Sequence, residues 1–454
     1  LGPAPRRKFS PQKPGGRIAV TQIESYQTRI MKAFNLVFQI HQPYRLRPYR
    51  FFDIGSEHYY YDDYANEALT DWLARKCYLP ACSMLLRKII QYKGDLKIAI
   101  YVSGVSLDMF RSYAPQVIEA LKRLAETGHV EFIGGTWSHS LASLQDPEIF
   151  RQDAELHRAT IKETFGLTSQ TFLNSELIYS DDIGKQLSDM GYKATLTEGA
   201  RHILGWRSPE MIYSNALKPD LRLLMRHFRL SDDLTFRFSN PDWQGHPLTP
   251  EKFISWAEAE GTGNQALNLC IDMEVLGALH PVETGIFSFM ETFLGYVSKS
   301  DRLRSLTPAE LIDQYPPSSL ISVPHPLSWA EEERDMSTWT GNELQQEALD
   351  KVYKLAGRVM QCQDPSIIRD WRLMQTSDHF HYMSTRYYAR ELKHRPNPYQ
   401  TPHEAFVNYM NILADMEKRI GQPKQDADEL REIDRLRQEN RKLKAELKGY
   451  RQDR

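Results

Sequence analysis

Hydrophobic and polar positions along this chain repeat with two periods. Short, nearly continuous apolar runs occur at Ala33–Ile40 (AFNLVFQI), Leu96–Tyr101, Val130–Ile133, Thr171–Leu173, Ala194–Leu196 and Ala266–Ile271 (ALNLCI). Runs of this length, bounded by Gly, Pro or polar clusters, read as buried parallel strands. Stretches with apolar residues at helical spacing lie between them, near Tyr64–Arg75, Pro80–Tyr92, Pro115–Glu126, Pro147–Phe165, Ile183–Met190 and Glu283–Tyr296. Strands alternating with helices predict βα units wound around a parallel sheet, a barrel. The rhythm loosens from Glu198 to Gly261, where Leu221–His227 and Leu234–Phe238 read as strands separated by Leu230-Ser231-Asp232-Asp233. Beyond about Thr307 the pattern turns helical, at Asn342–Met360, Pro365–Arg390 and Pro402–Ile420. These segments are expected to pack as a helical domain against the barrel.

The expected divisions are a barrel over residues 31–300, a helical domain over 301–422, and two ends of different character. Residues 1–30 are rich in Pro, Gly and basic side chains and hold no apolar stretch of the kind a secretory signal needs. A disordered leader, or translated sequence upstream of Met31, is expected there. Residues 423–454 are strongly charged, with Ile433, Leu436, Asn440, Leu443 and Leu447 at spacings of three and four. That is a short heptad seam with Asn at one core position. It could join two chains as a homodimer; a single solvated helix is the competing reading, because so short a seam is marginal alone.

Composition narrows the class. The 454 residues are 41% hydrophobic and 26% charged with net charge -2, an ordinary globular balance that argues against a dedicated nucleic-acid binder. No apolar run is long enough to span a bilayer, so no membrane role is expected. The four cysteines, Cys77, Cys82, Cys270 and Cys362, form no disulfide framework and no CxxC pair, and are expected as reduced thiols in a cytoplasmic protein. Aromatic residues make up 11% of the chain, which suits stacking on flat ligand faces as well as a large core.

In a parallel barrel all strand C-termini open on one rim, where chemistry collects. Four apolar runs here deliver His41 with Gln42-Pro43, Trp137 with His139 after paired glycines, Glu176 after Asn174-Ser175, and Asp272 with Glu274. Two carboxyl centres flanking an acetal are the minimum equipment for glycoside cleavage: one protonates the leaving oxygen, the other attacks the anomeric carbon or activates water. The histidines can hydrogen-bond sugar hydroxyls and Trp137 can stack on a pyranose. Asp232, His280, Trp339, Asp378 and His379 are further candidates for substrate contacts, with helix packing and capping as the alternative reading.

The ordered motifs resemble glycoside hydrolase family 57, in its small intracellular α-amylase-like branch. His41-Gln42-Pro43, Gly134–His139 (GGTWSH), Asn174-Ser175-Glu176 and Leu269–Gly277 (LCIDMEVLG) are similar to the family's first four motifs. The resemblance runs from about Lys32 to about Ile420. It implies an incomplete (β/α)7 barrel with a helical C-terminal region, Glu176 as nucleophile, Asp272 as general acid/base, retaining cleavage of α-1,4-glucosidic bonds in α-glucans or maltooligosaccharides, and no cofactor. Family amylases typically continue Asp-Tyr-Glu-Thr-Phe-Gly-Glu-His after the acid. Here Met273 stands for the Tyr, Ala278-Leu279 for Glu-His, and His280 comes one place later.

Transfer of the glycosyl group to a sugar, as in a 4-α-glucanotransferase or branching enzyme, shares the same intermediate and stays open. So does a glucan-binding role with little turnover. Metal-dependent polysaccharide deacetylases use a related barrel but carry a His-x3-His pair. No two of the 14 histidines here are four apart, so no catalytic metal is expected.

Overall fold

The computed structural model describes residues 31–259, 265–386 and 397–421, together with Gly2, Arg435, Leu436 and Glu439. Apart from Gly2, Arg435, Leu436 and Glu439, the expected leader and the heptad seam, with its homodimer, lie outside the described residues. Among the described residues ten strands form the sheet: β1 (Lys32–Ile40), β2 (Ile98–Val102), β3 (Val130–Phe132), β4 (Thr171–Leu173), β5 (Ala194–Glu198), β6 (Ile212–Asn215), β7 (Arg222–Arg226), β8 (Ala266–Asp272), β9 (Leu303–Ser305) and β10 (Ser319–Ile321). Strand β1 is central, parallel to β2 on one side and β8 on the other. Parallel pairing continues from β2 to β3, and from β4 through β5 to β7. At two seams the ladder narrows to a single residue pair: Gly134 with Phe172 between β3 and β4, and Arg226 with Asn268 between β7 and β8. The architecture is an incomplete (β/α)7 barrel with helices outside it.

Period-two alternation on β1 explains both faces. Phe34, Leu36, Phe38 and Ile40 point outward into the core shared with the helices, each fully buried. Ala33 and Val37 point into the barrel, where small and medium side chains such as Ala99, Ala194, Ala266 and Cys270 fill the limited space. Asn35 and Gln39 share that inner face. The register sets Asn35 against Asn268, Val37 against Cys270 and Gln39 against Asp272. Asn35 Nδ2 donates to Asn268 Oδ1 at 3.2 Å, and Gln39 Nε2 to Asp272 Oδ1 at 3.1 Å. A slip of one residue would drive two phenyl rings into the barrel and two amides into the outer core, so the register is strongly specified.

Three features differ from the sequence reading. Leu234–Phe238, expected as a strand, lies in a wide helical turn, Asp233–Arg237, that continues the helix Phe228–Asp232. Its five-residue alternation fits either period, and helix-spaced polar pairs decide the matter: Thr235 Oγ1 donates to Ser231 O at 2.9 Å, and Arg237 pairs with Asp233 at 2.6 Å. The break expected between Arg75 and Pro80 is bridged by another wide turn, Ala74–Tyr78, which joins two helices into one run. Strands β6 (IYSN), β9 (LRS) and β10 (SLI) mix polar with apolar residues and do not stand out as apolar runs; β9 and β10 join the sheet from beyond residue 300.

The C-terminal helices pack on the aromatic loop that follows β1. Buried Asp415, on the helix Pro402–Gly421, accepts from Gly55 N at 2.6 Å, Tyr60 Oη at 2.6 Å and His58 Nδ1 at 2.8 Å. Among the described residues no helix is long and apolar enough to cross a membrane.

Candidate active site

Glu176 sits on a tight turn directly after β4. Asn174 builds that turn: its Oδ1 accepts from Ser175 N, and its Nδ2 donates to Ile178 O and Ser143 Oγ, both at 2.9 Å. Glu176 and Leu177 both have φ of +55°, a left-handed conformation that is unfavourable by about 1 kcal/mol for each non-glycine residue. The surroundings must therefore over-determine it. They do so through the carboxylate, which is 4% exposed. Oε1 accepts from Ser377 Oγ at 2.8 Å and faces His139 Nε2 at 3.3 Å, while Oε2 accepts from Trp329 Nε1 at 2.7 Å.

His139 comes from the GGTWSH segment after β3. A Cβ on Gly135 would stand 2.2 Å from the Tyr101 ring and 2.8 Å from Leu173 O, so only glycine fits there. Two buried groups fix the segment. His157 accepts from Gly135 N and donates to Val102 O at 2.9 Å; burial pushes its pKa down to about 4 and keeps it neutral. Asp153 accepts from Ser138 N, Ser138 Oγ and Ser140 Oγ, and burial raises its pKa. Tyr101 Oη meets Nδ1 of His139 at 3.1 Å, leaving Nε2 toward Glu176.

His41, at the end of β1, stacks on His139 with ring centroids 3.9 Å apart. Its Nε2 meets Asp378 Oδ2 at 2.9 Å and its Nδ1 meets Ser103 Oγ at 2.8 Å. Next to it, Gln42 Nε2 donates to Glu274 Oε1 at 3.0 Å, and Tyr78 Oη donates to the same oxygen at 2.6 Å. Arg45 in turn donates to Gln42 Oε1. This buried cluster joins the first rim segment to the fourth.

Asp272 tops β8 and is partly exposed. It lines the same cavity as Glu176, a narrow space of about 50 Å³ bordered also by Gln39, Arg226, Cys270, Thr235, Phe236 and Trp329. Phe236 and Trp329 lie nearly parallel, with centroids 6.3 Å apart, and both also border a neighbouring cavity of about 330 Å³. Arg226 is fully engaged below the rim: Nε donates to Cys270 O at 2.9 Å, Nη1 to Glu198 at 3.0 Å and Nη2 to Asp232 at 2.6 Å. Burial pushes the Glu198 pKa up to about 7, against the pull of Arg226. Such a set of carboxyls, imidazoles and aromatic walls around a cleft can bind a sugar and exchange protons with it.

Of the remaining expected site residues, Asp232 borders the larger cavity and the others stand behind this wall. Trp339 is buried edge-on to Trp329, with centroids 6.4 Å apart. His379 is buried, faces Leu373 O at 3.2 Å, and burial pushes its pKa down to about 4. His280 meets Ser239 Oγ at 2.8 Å and the carbonyls of Leu234 and Thr235, so it braces the turn that carries Phe236. Trp137 lays its ring on the backbone at Gly104, where a Cβ would come within 2.0 Å. Asp232 borders the larger cavity and pairs with Arg226 and Arg334. Among the described residues no group of three or more His, Cys, Asp and Glu side chains could hold a metal ion.

Sequence reasoning missed Ser377, Trp329, Arg226 and Gln39. Gln39 was within reach, since it lies two positions before His41 and so shares its face of β1. Ser377 precedes the flagged Asp378. Trp329 carries no pattern that sets it apart from the other tryptophans.

The sequence matches glycosyl hydrolase family 57 over residues 35–324. It is 35% identical over 398 residues to a Methanocaldococcus jannaschii protein named "Putative alpha-amylase", an alignment that covers 84% of this chain and 83% of that one. The fold resembles a family 57-type branching enzyme of Pyrococcus horikoshii, with TM-score 0.61, 14% identity, and coverage of 89% of this chain and 94% of that chain. It also resembles an α-amylase of Thermotoga maritima, with TM-score 0.58, 13% identity, and coverage of 88% and 96%. The matched region contains all four rim segments, from His41 to Gly277, and by this match and the 35% identity the chain belongs to glycosyl hydrolase family 57.

Proposed function

We propose that this protein cleaves α-1,4-glucosidic bonds in α-glucans with retention of configuration, with Glu176 as nucleophile and Asp272 as general acid/base. The observation that carries the reading is that these two carboxyl groups border one cavity in different settings. Glu176 is gripped by hydroxyl and indole donors, which favour its ionised, nucleophilic form. Asp272 stands partly exposed at the rim, where it can hand a proton to the leaving oxygen and take one back from water. Retaining cleavage runs in two steps. Glu176 attacks the anomeric carbon as Asp272 protonates the departing glycosidic oxygen. Water, deprotonated by Asp272, then releases the sugar and frees Glu176. Trp329 and Phe236 supply apolar faces on which pyranose rings can stack. The relative named for α-amylase supports the α-glucan class.

A second reading has its own support. The cleft runs past Phe236 and Trp329 into the larger cavity, which offers room for an acceptor sugar in place of water. In that case the enzyme would be a glucosyl transferase, a 4-α-glucanotransferase or branching enzyme. Incubation with maltoheptaose separates the two: hydrolysis yields only shorter chains and new reducing ends, whereas transfer yields longer or branched chains with few new reducing ends. Tight binding without any turnover would instead mark a glucan-binding protein and defeat both.

A further inference from the structure

The loop from Ser328 to Asp335 carries Trp329 onto the Glu176 carboxylate, and its shape comes from contacts rather than from glycine. Glu331 and Arg334 have φ of +51° and +54°, a conformation unfavourable for side chains of their size. Ser328 N donates to Arg334 O at 3.0 Å and Ser328 Oγ to Asp335 O at 2.6 Å, which closes the loop. Arg334 Nη1 donates back to Trp329 O. The same guanidinium lies 5.4 Å from the centre of the Phe228 ring, and its Nη2 is 3.5 Å from Asp232 Oδ2. The other oxygen of Asp232 holds Arg226, which is bonded to the barrel at Cys270 O. A continuous run of ion pairs and hydrogen bonds thus ties the Trp329 loop to strands β7 and β8.

We infer that Arg334 and Asp232 are positioning residues that lock Trp329 in place, so that its indole N–H holds Glu176 ionised and aimed at the anomeric carbon. This rests on the reading of Glu176 as nucleophile. Asp232, expected from the sequence to touch substrate, acts here through Arg334. Trp329 is a neutral donor, so losing its hydrogen bond changes no charge at the site and makes the carboxylate harder to ionise. Other groups near Glu176 include Ser377 and His139, with His41 and Asp378 one layer behind, and Asp272 and Arg226 across the cavity. Arg334 also carries a charge that acts through space on buried carboxyls such as Glu198, and the double variant with Trp329→Phe separates that direct effect from the route through the indole.

The test uses the full chain and an aryl α-maltooligosaccharide. Arg334→Met is expected to lower kcat about tenfold, the scale of one hydrogen bond to a charged group, with a smaller change in KM. The acid limb of its kcat/KM profile should move to higher pH. Trp329→Phe should move the same limb the same way, and the double variant should be no slower than Trp329→Phe alone, because both changes break one linkage. Arg334→Lys should recover part of the loss. An unmoved acid limb in Arg334→Met, or losses that multiply in the double variant, would overturn the inference. Should Arg334→Met fail to fold, Asp232→Asn read on the same two axes decides. Azide rescue of Glu176→Ala tests the nucleophile reading independently: without glycosyl azide formation that reading falls, whatever the Arg334 variants do.

Discussion

The two carboxyl groups of the cleft are built in opposite ways. Glu176 sits on an irregular turn after a three-residue strand, in a left-handed conformation, buried, and gripped from the helical region by Ser377 and from a distant loop by Trp329. Asp272 ends a regular seven-residue strand, takes a hydrogen bond from Gln39 on the next strand, and is partly exposed. A group that must attack one carbon gains from being held rigid and charged, since orientation and pre-arranged donors lower the barrier. A group that must give up and regain a proton needs contact with substrate and water. Rigid fixation is achieved here with long-range contacts, whereas local strand geometry suffices to place the proton-transfer group.

The sharpest break of this contrast is Glu176→Gln. Turnover should fall by about four orders of magnitude or more. Thermal stability should change by less than about 1 kcal/mol, because the amide keeps the shape and most of the partners. Reducing-sugar release and a thermal melt on the same sample check both; residual turnover near wild type would refute the nucleophile role. Asp272→Asn comes next, with an expected loss of about 10² to 10⁴ on maltooligosaccharides. That loss should shrink on aryl glycosides whose leaving group needs no proton. An equal loss on both substrates would contradict the acid role.

Ser377→Ala removes one donor from the Glu176 carboxylate and should lower kcat/KM roughly tenfold or somewhat more. The corresponding change beside Asp272, Gln39→Ala, should cost less, since that carboxyl has access to water; the reverse order would erase the contrast.

The smallest effect on rate is expected at Glu198, which lies behind Arg226. Its folded-state pKa is raised to about 7 from 4.5 by burial, so between those values the native state holds a proton that the unfolded chain releases. Its contribution to stability is full below about pH 4.5 and lost as pH rises to about 7. Glu198→Gln should therefore flatten the fall in stability across that window, as measured by denaturant melts at several pH values. An unchanged slope would mean that Arg226 keeps Glu198 ionised throughout.

What could be read from the amino acids alone follows the same division. The six apolar runs correspond to β1 to β5 and β8, because each buries nearly every residue and leaves a strong local signal. Asp272 and Glu176 were legible as strand-end carboxyls, and His41 as the residue delivered by β1. Leu234–Phe238 was misread, because five alternating residues cannot separate period two from a wide helical turn, and the Ser231–Thr235 and Asp233–Arg237 pairings settle it. The helical region was legible as helices, yet nothing local marked Ser377 as a donor to Glu176.

By itself the sequence determined most of the elements, the strand-end positions of His41, Glu176 and Asp272, and the family. These rest on neighbours a few residues apart. Only the tertiary structure decided how Glu176 is held. Its donors lie 153 and 201 residues away, and such pairs come together through the packing of whole elements, which no local period encodes.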